Sequence, residues 1–132
     1  MFRTLLLTLA AGLAASTLVH AEGVKANIPF PFSVGKTVMP AGIYIFDTDV
    51  APAVLRVRSQ GWEKAALVIT SSAQERNKGE DGKIVFHKYG AVYFLSQVVY
   101  SGGAARALPK TAREKEMAAR HAGPEVKVLA VK

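Results

Sequence analysis

The stretch Lys83-Ile84-Val85-Phe86-His87-Lys88-Tyr89-Gly90-Ala91-Val92-Tyr93-Phe94-Leu95-Ser96-Gln97-Val98-Val99-Tyr100-Ser101 decides the fold class. Its residues are β-branched and aromatic, the types that fit a pleated, half-buried surface. Ile84 and Phe86 share one phase. Tyr89-Gly90 breaks the run, with Gly90 expected at positive φ, so it reads as two strands joined by a tight turn. In strict alternation the second strand places Val92, Phe94, Val98 and Tyr100 on one phase and Tyr93, Leu95 and Val99 on the other. A strand apolar on both faces belongs inside a sandwich or barrel.

Working outward, the same period recurs. Val24, Ala26, Ile28, Phe30 and Phe32 alternate with Lys25, Asn27, Pro29 and Pro31. The two prolines lack donors, so this strand is expected at a sheet edge or to end after Ile28. Pro40-Ala41-Gly42 predicts a tight turn, with Gly42 in a conformation other residues avoid, and Tyr44 entering the next strand over Gly42–Thr48. Ala53–Ser59 alternates, with Val54, Arg56 and Arg58 opposite Leu55 and Val57. After Gln60-Gly61, Trp62–Ser71 contains Ala-Ala-Leu-Val-Ile-Thr, apolar on both phases and expected to be central. Residues 72–83 are rich in charge and glycine and read as a solvated loop.

Near the C-terminus one helix is punctuated. Thr111 caps its start, and Glu114 stands three residues on as in a capping box. Gly123 and Pro124 stop it. Glu116 and Arg120 have the favourable i,i+4 order. The apolar stripe of Leu108, Ala112, Ala119 and Ala122, with Met117 off to one side, is thin, so the helix is expected on the surface. Val126, Val128 and the residues to Val131 read as a last strand or a tail. The resulting fold class is all-β: an antiparallel β-sandwich or small barrel with one C-terminal surface helix.

The first residues read differently. Met1-Phe2-Arg3 is a short positive region, Leu5–Ala15 an apolar run of 11 residues, and Val19-His20-Ala21 places small residues where a signal peptidase reads them. The apolar stretch is shorter than the roughly 20 residues that span a bilayer. Cleavage is expected after Ala21, leaving a periplasmic or secreted protein that is not an integral membrane protein. The expected organisation is a leader over 1–21, a β-rich core over 22–105, and a basic helix with a C-terminal strand or tail over 106–132 on the same domain.

There is no cysteine among the 132 residues, which rules out disulfides, iron–sulfur clusters and thiolate zinc sites. With Arg3 in the leader, the rest of the chain carries 16 of the 17 Lys and Arg against all 10 Asp and Glu. That excess suits solubility and contact with an anionic envelope component or glycan. No nucleic-acid signature accompanies it.

Three stretches carry a resemblance: Ile28-Pro29-Phe30-Pro31-Phe32-Ser33-Val34-Gly35, Met39-Pro40-Ala41-Gly42-Ile43-Tyr44, and Ile84 through Ser96. Together they resemble a family of small exported proteins of acidobacterial type. The resemblance spans about Val24 to Glu116. It implies an exported β-rich domain and brings no activity, cofactor or catalytic residue with it.

The candidate binding residues are His87, Tyr89, Tyr93, Trp62, Asp47 and Asp49. His87 is opposite in phase to Phe86, and an imidazole there suits a groove, a base or a ligand. The preferred reading is a hairpin histidine bonded to a neighbour. Catalysis would need a nucleophile and an orienting acid, for which Ser96 and Asp47 or Asp49 are the candidates, although Ser96 is in no nucleophile elbow. Asp47 and Asp49, with Glu80 or Asp81, have the chemistry of a calcium site, but turn formation is the preferred role. Trp62, Tyr44, Tyr89, Tyr93 and Tyr100 offer ring faces for sugars, against the commoner role of strand aromatics in cores and cross-strand pairs. Arg106, Lys110, Arg113, Lys115 and Arg120 make the C-terminal region basic, preferably as a solvated face. No catalytic set, metal site or cofactor is assigned. The expectation is a non-catalytic envelope or secreted domain with a binding or structural role. The alternatives are a hydrolase using His87 with an acidic partner, and assembly through exposed edge strands.

Overall fold

The computed structural model describes residues 23–74 and 81–131; the expected leader and most of the charged loop, including Glu80, lie outside them. Among the described residues there are eleven strands and one helix. The strands are β1 (Val24–Ile28), β2 (Phe32–Val34), β3 (Thr37–Met39), β4 (Gly42–Ala51), β5 (Val54–Ser59), β6 (Ala65–Ile69), β7 (Ser71–Gln74), β8 (Lys83–Tyr89), β9 (Val92–Val99), β10 (Ala104–Ala107) and β11 (Glu125–Ala130), with α1 (Ala112–Arg120) between the last two. No helix among them is long and apolar enough to cross a membrane.

Two sheets form a sandwich, not a closed barrel. One has the order β1-β4-β5-β6 and the other β11-β8-β9-β10-β7, with the β2–β3 hairpin joined to β9 through the parallel pair Ser33 and Phe94. The other pairings are antiparallel. Period-two alternation turns Tyr44, Phe46, Leu55 and Val57 of one sheet toward Ile84, Phe86, Leu95 and Val98 of the other, all buried. Phe86 is the hub. Phe30 meets its ring edge-on at 5.0 Å and Phe32 at 5.5 Å. These apolar side chains supply the main driving force for folding.

Four expectations change. The apolar run ending at Ile69 is not central: β6 is an edge strand, with Leu67 59 % and Ile69 72 % exposed. Alternation along β9 is not strict. Val85 pairs with Gln97 and Phe86 with Leu95, so Ser96 is an extra residue, a bulge that resets the phase. Tyr93 and Leu95 therefore join the core alongside Val98 and Tyr100. Gly42 takes no positive φ. It opens β4 opposite Ile28, and the turn is closed by the Tyr44 hydroxyl donating to the Pro40 carbonyl at 2.6 Å. Of the expected loop 72–83, residues 72–74 belong to strand β7, which begins at Ser71.

The chain crosses between sheets at Thr70, and Arg106 pins the crossing. Its Nε donates to Thr70 Oγ1 at 2.8 Å and its Nη2 to the Thr70 carbonyl at 2.9 Å. Arg106 is thus committed to the fold and not to a solvated face. The helix lies on the surface, but its anchor is not the alanine stripe. Glu114 is its buried residue, with Met117 and Ala118 half-buried.

Candidate functional site

The six candidate residues divide between the two sheets. On the seven-stranded sheet, odd-numbered residues of β8 face away from the core, which brings His87 and Tyr89 under α1. The Tyr89 hydroxyl donates to Glu114 Oε2 at 2.9 Å, and His87 Nδ1 lies 3.1 Å from the same oxygen. On the other side of the imidazole, Ser96 Oγ is 3.3 Å from His87 Nε2. The bulge in β9 is what turns Ser96 to this face. Thr111 Oγ1 accepts the Glu114 N–H at 3.1 Å, half of the expected capping box; the Glu114 carboxylate is turned onto the sheet instead. Burial, together with the hydrogen bond to the Glu114 carboxylate, pushes the Tyr89 phenol up to about 12.

The acidic partner of His87 is therefore Glu114, not Asp47 or Asp49, which belong to the other sheet. Neither Tyr89 nor Tyr93 presents a free platform. Tyr89 is 1 % exposed, and Tyr93 stacks on Phe30 with ring centroids 3.7 Å apart.

The second group lies on the outer face of the four-stranded sheet. Asp47 and Arg56 are cross-strand partners, and Arg56 Nη2 meets Asp47 Oδ2 at 3.0 Å and Asp49 Oδ2 at 3.7 Å. Asp47 Oδ1 also accepts the Asp49 N–H at 3.0 Å, an Asx turn. Both carboxylates are thus engaged by an arginine and a turn. No cluster of three or more potential metal ligands occurs among the described residues.

Beside them, Trp62 closes the β5–β6 hairpin at φ 64, a left-handed conformation that a bulky residue adopts only at a cost. Its backbone N–H donates to the Ser59 carbonyl at 3.0 Å. The Arg58 guanidinium lies 4.2 Å from its ring centre and that of Arg56 5.1 Å, yet the residue remains 55 % exposed. Cation–π attraction of this kind holds the indole flat over the sheet. Among the described residues Arg58 makes no ion pair, and its Nε is buried without a hydrogen-bond partner. Cross-strand registration places Ile45 and Ala65 beside Arg58, and Leu67 beside Arg56. The result is an exposed ring stacked on a guanidinium without an ion pair, with Ile45, Ala65 and Leu67 alongside and the Asp47–Arg56 pair and Glu63 of the same hairpin nearby.

The chain matches no family model, no curated protein and no solved structure. What it can do rests on these two arrangements and on its cavities. A cavity of about 360 Å³ is lined by Gly23, Lys25, Gly82, Tyr100 and Val131, among others. The Tyr100 hydroxyl is buried without a partner, and burial, reinforced by the Asp47 charge, pushes it up to about 12. Neither His87 nor Ser96 lines this cavity.

The signals missed in the sequence were Glu114 as a docking group and Arg58 as a guanidinium without an ion pair. Nothing local marks the first, since its partners are 25 and 27 residues away. The second was legible in the alternation of Ala53–Ser59, which set both arginines on the solvent phase next to Trp62.

Proposed function

We propose that this is an exported, non-catalytic β-sandwich that binds an acidic glycan of the cell envelope on the outer face of its four-stranded sheet. Trp62 stacks against a sugar ring, and Arg58 meets the carboxylate. The observation that carries this reading is the strained Trp62 at φ 64, more than half exposed over Arg58. Strain of that kind costs about 1–3 kcal/mol and concentrates at functional sites. An indole face binds the apolar C–H surface of a sugar. The neighbouring unpaired guanidinium selects a charged ring over a neutral one through a charge-assisted hydrogen bond. The leader-like residues 1–21, the positive balance of the remaining chain and the resemblance to an exported family support the compartment.

Trp62 is the single tryptophan, so its emission reports the site directly. Titration with a galacturonic acid oligomer is expected to quench or shift that emission, with a weaker response at high salt and little response to the neutral galactose oligomer. Trp62→Ala is expected to abolish binding measured calorimetrically. Arg58→Gln should remove the preference for the acidic oligomer. Unchanged emission and no heat with folded protein would overturn the reading.

A hydrolase is the second reading, and the Ser96–His87–Glu114 chain of contacts is what favours it. The order of groups is that of a nucleophile, a base and an orienting acid. The same contacts also have a structural use, tethering α1. A fluorophosphonate probe separates the two. Covalent labelling of Ser96 supports hydrolysis, and an unlabelled serine on folded protein rejects it.

A further inference from the structure

A second cavity, of about 320 Å³, opens where the β2–β3 turn meets the start of α1, and Ser33, Gly35, Lys36, Phe94, Thr111 and Arg113 contribute to its lining. We propose that it is a binding site for a phosphate-type oxyanion, separate from the Trp62 face and independent of it.

Four observations converge. First, Ser33 is 4 % exposed and lines the cavity, and its side chain makes no hydrogen bond among the described residues. Its hydroxyl is therefore free to donate to an anion in the cavity. Second, Lys36 and Arg113 both line the space, and neither forms an ion pair among the described residues. Third, the cavity lies at the N-terminus of a nine-residue helix. Thr111 Oγ1 takes the N–H of Glu114 at 3.1 Å, and the Thr111 carbonyl takes that of Lys115 at 3.0 Å. The N–H groups of Ala112 and Arg113 are left without an intrahelical acceptor at the positive end of the dipole. Fourth, the acidic side chain of the first turn does not compete, because the Glu114 carboxylate is held by Tyr89 and His87.

The geometry is prepared by the fold. Gly35 takes φ 59 in the β2–β3 turn, which brings Lys36 to the cavity. Ser33 is fixed by its pairing with Phe94 of β9. Arg113 is steadied by the Phe94 ring, 5.6 Å from its guanidinium carbon. A site with two cations, a hydroxyl and two backbone donors suits a tetrahedral oxyanion with several acceptor oxygens better than a single carboxylate. The anion is either free phosphate or a phosphate carried on a lipid headgroup.

The test uses the protein recovered from expression of the full 132-residue chain. Inorganic phosphate is titrated while amide resonances are followed, and phosphatidylglycerol–phosphatidylcholine vesicles are offered in a co-sedimentation arm. The expected result is a saturable shift at the Ala112 and Arg113 amides. Affinity should fall about tenfold in Arg113→Gln and again in Lys36→Gln, each removing one charge-assisted contact. Sedimentation with anionic vesicles that Arg113→Gln abolishes would assign a lipid headgroup. Phosphate shifts without sedimentation would assign a free anion. Ser33→Ala checks the hydroxyl and is expected to weaken binding while leaving the fold intact. Phosphate should leave Trp62 emission unchanged, so this site and the glycan face fail or stand separately. Absence of both responses, or identical responses in the Lys36→Gln/Arg113→Gln double variant, would overturn the proposal.

Discussion

Replacing Glu114 with alanine should release the helix that one carboxylate holds down. Glu114 is 4 % exposed, and its Oε2 is met both by the Tyr89 hydroxyl at 2.9 Å and by His87 Nδ1 at 3.1 Å. Truncation strands the Tyr89 hydroxyl beneath α1 and leaves His87 with Ser96 alone. Tyr89 is buried, whereas the His87 side chain is 23 % exposed and can turn to water, so the expected loss is the cost of one stranded buried polar group, about 1–3 kcal/mol. The helix has little else to hold it, since Met117 and Ala118 are only half-buried and the rest of its non-terminal residues face solvent. Glu114→Gln keeps one carbonyl oxygen for Tyr89 and should lose about half as much. The assay is urea unfolding followed by far-ultraviolet circular dichroism and by Trp62 emission, which reports the opposite sheet. If the helix is a cooperative part of the domain, both probes shift to the same lower midpoint with an unchanged slope. A loss of under about 0.5 kcal/mol in Glu114→Ala, the usual range for surface substitutions, would refute the docking role.

Three further outcomes are expected. Phe86→Ala removes the fully buried ring that Phe30 and Phe32 meet edge-on, and should cost about 3–5 kcal/mol in the same unfolding assay. Trp62→Gly relieves the φ 64 conformation while Trp62→Ala keeps it, so the glycine variant should be the more stable of the two by about 1 kcal/mol. Tyr89 and Tyr100, raised from 10.0 to about 12, hold their protons more tightly folded than unfolded. The stability they contribute is complete below pH 10 and is lost as pH rises toward 12, which a tyrosinate absorbance titration paired with dichroism will show as late ionisation accompanying unfolding.

The sandwich was legible because most strands obey period two and turns fall between them. The exceptions have physical causes. Periodicity assumes an unbroken ladder, so the bulge at Ser96 misassigned everything downstream of it in β9. The apolar residues of β6 suggested a central strand, but Leu67 and Ile69 serve an exposed outer face. The capping pattern located α1 from Thr111 and Glu114, yet a helical wheel counts only apolar residues and therefore missed a carboxylate used as the anchor. His87 was legible as a residue bonded to a neighbour. Its acid was not, because the contact is set by how α1 returns over β8, a tertiary fact with no local signature. Asp47 makes the local hydrogen bond expected of a turn-former, but both aspartates lie within β4, and Asp49 uses its carboxylate on Arg56 instead; their shared arginine follows from strand register.

The lone parallel pairing of Ser33 with Phe94 has a kinetic consequence. One sheet is built wholly from residues before position 70, and the other draws on both halves of the chain, so β2 is the stitch that carries an early segment into a late one. Closing so large a loop is entropically slow, although each doubling of its length adds only about 0.6 kcal/mol. The first half can register its own hairpins as it emerges, but it must wait, greasy face uncovered, for β9 to arrive. Folding of this chain should therefore be slow for its size, and most vulnerable to aggregation in that interval.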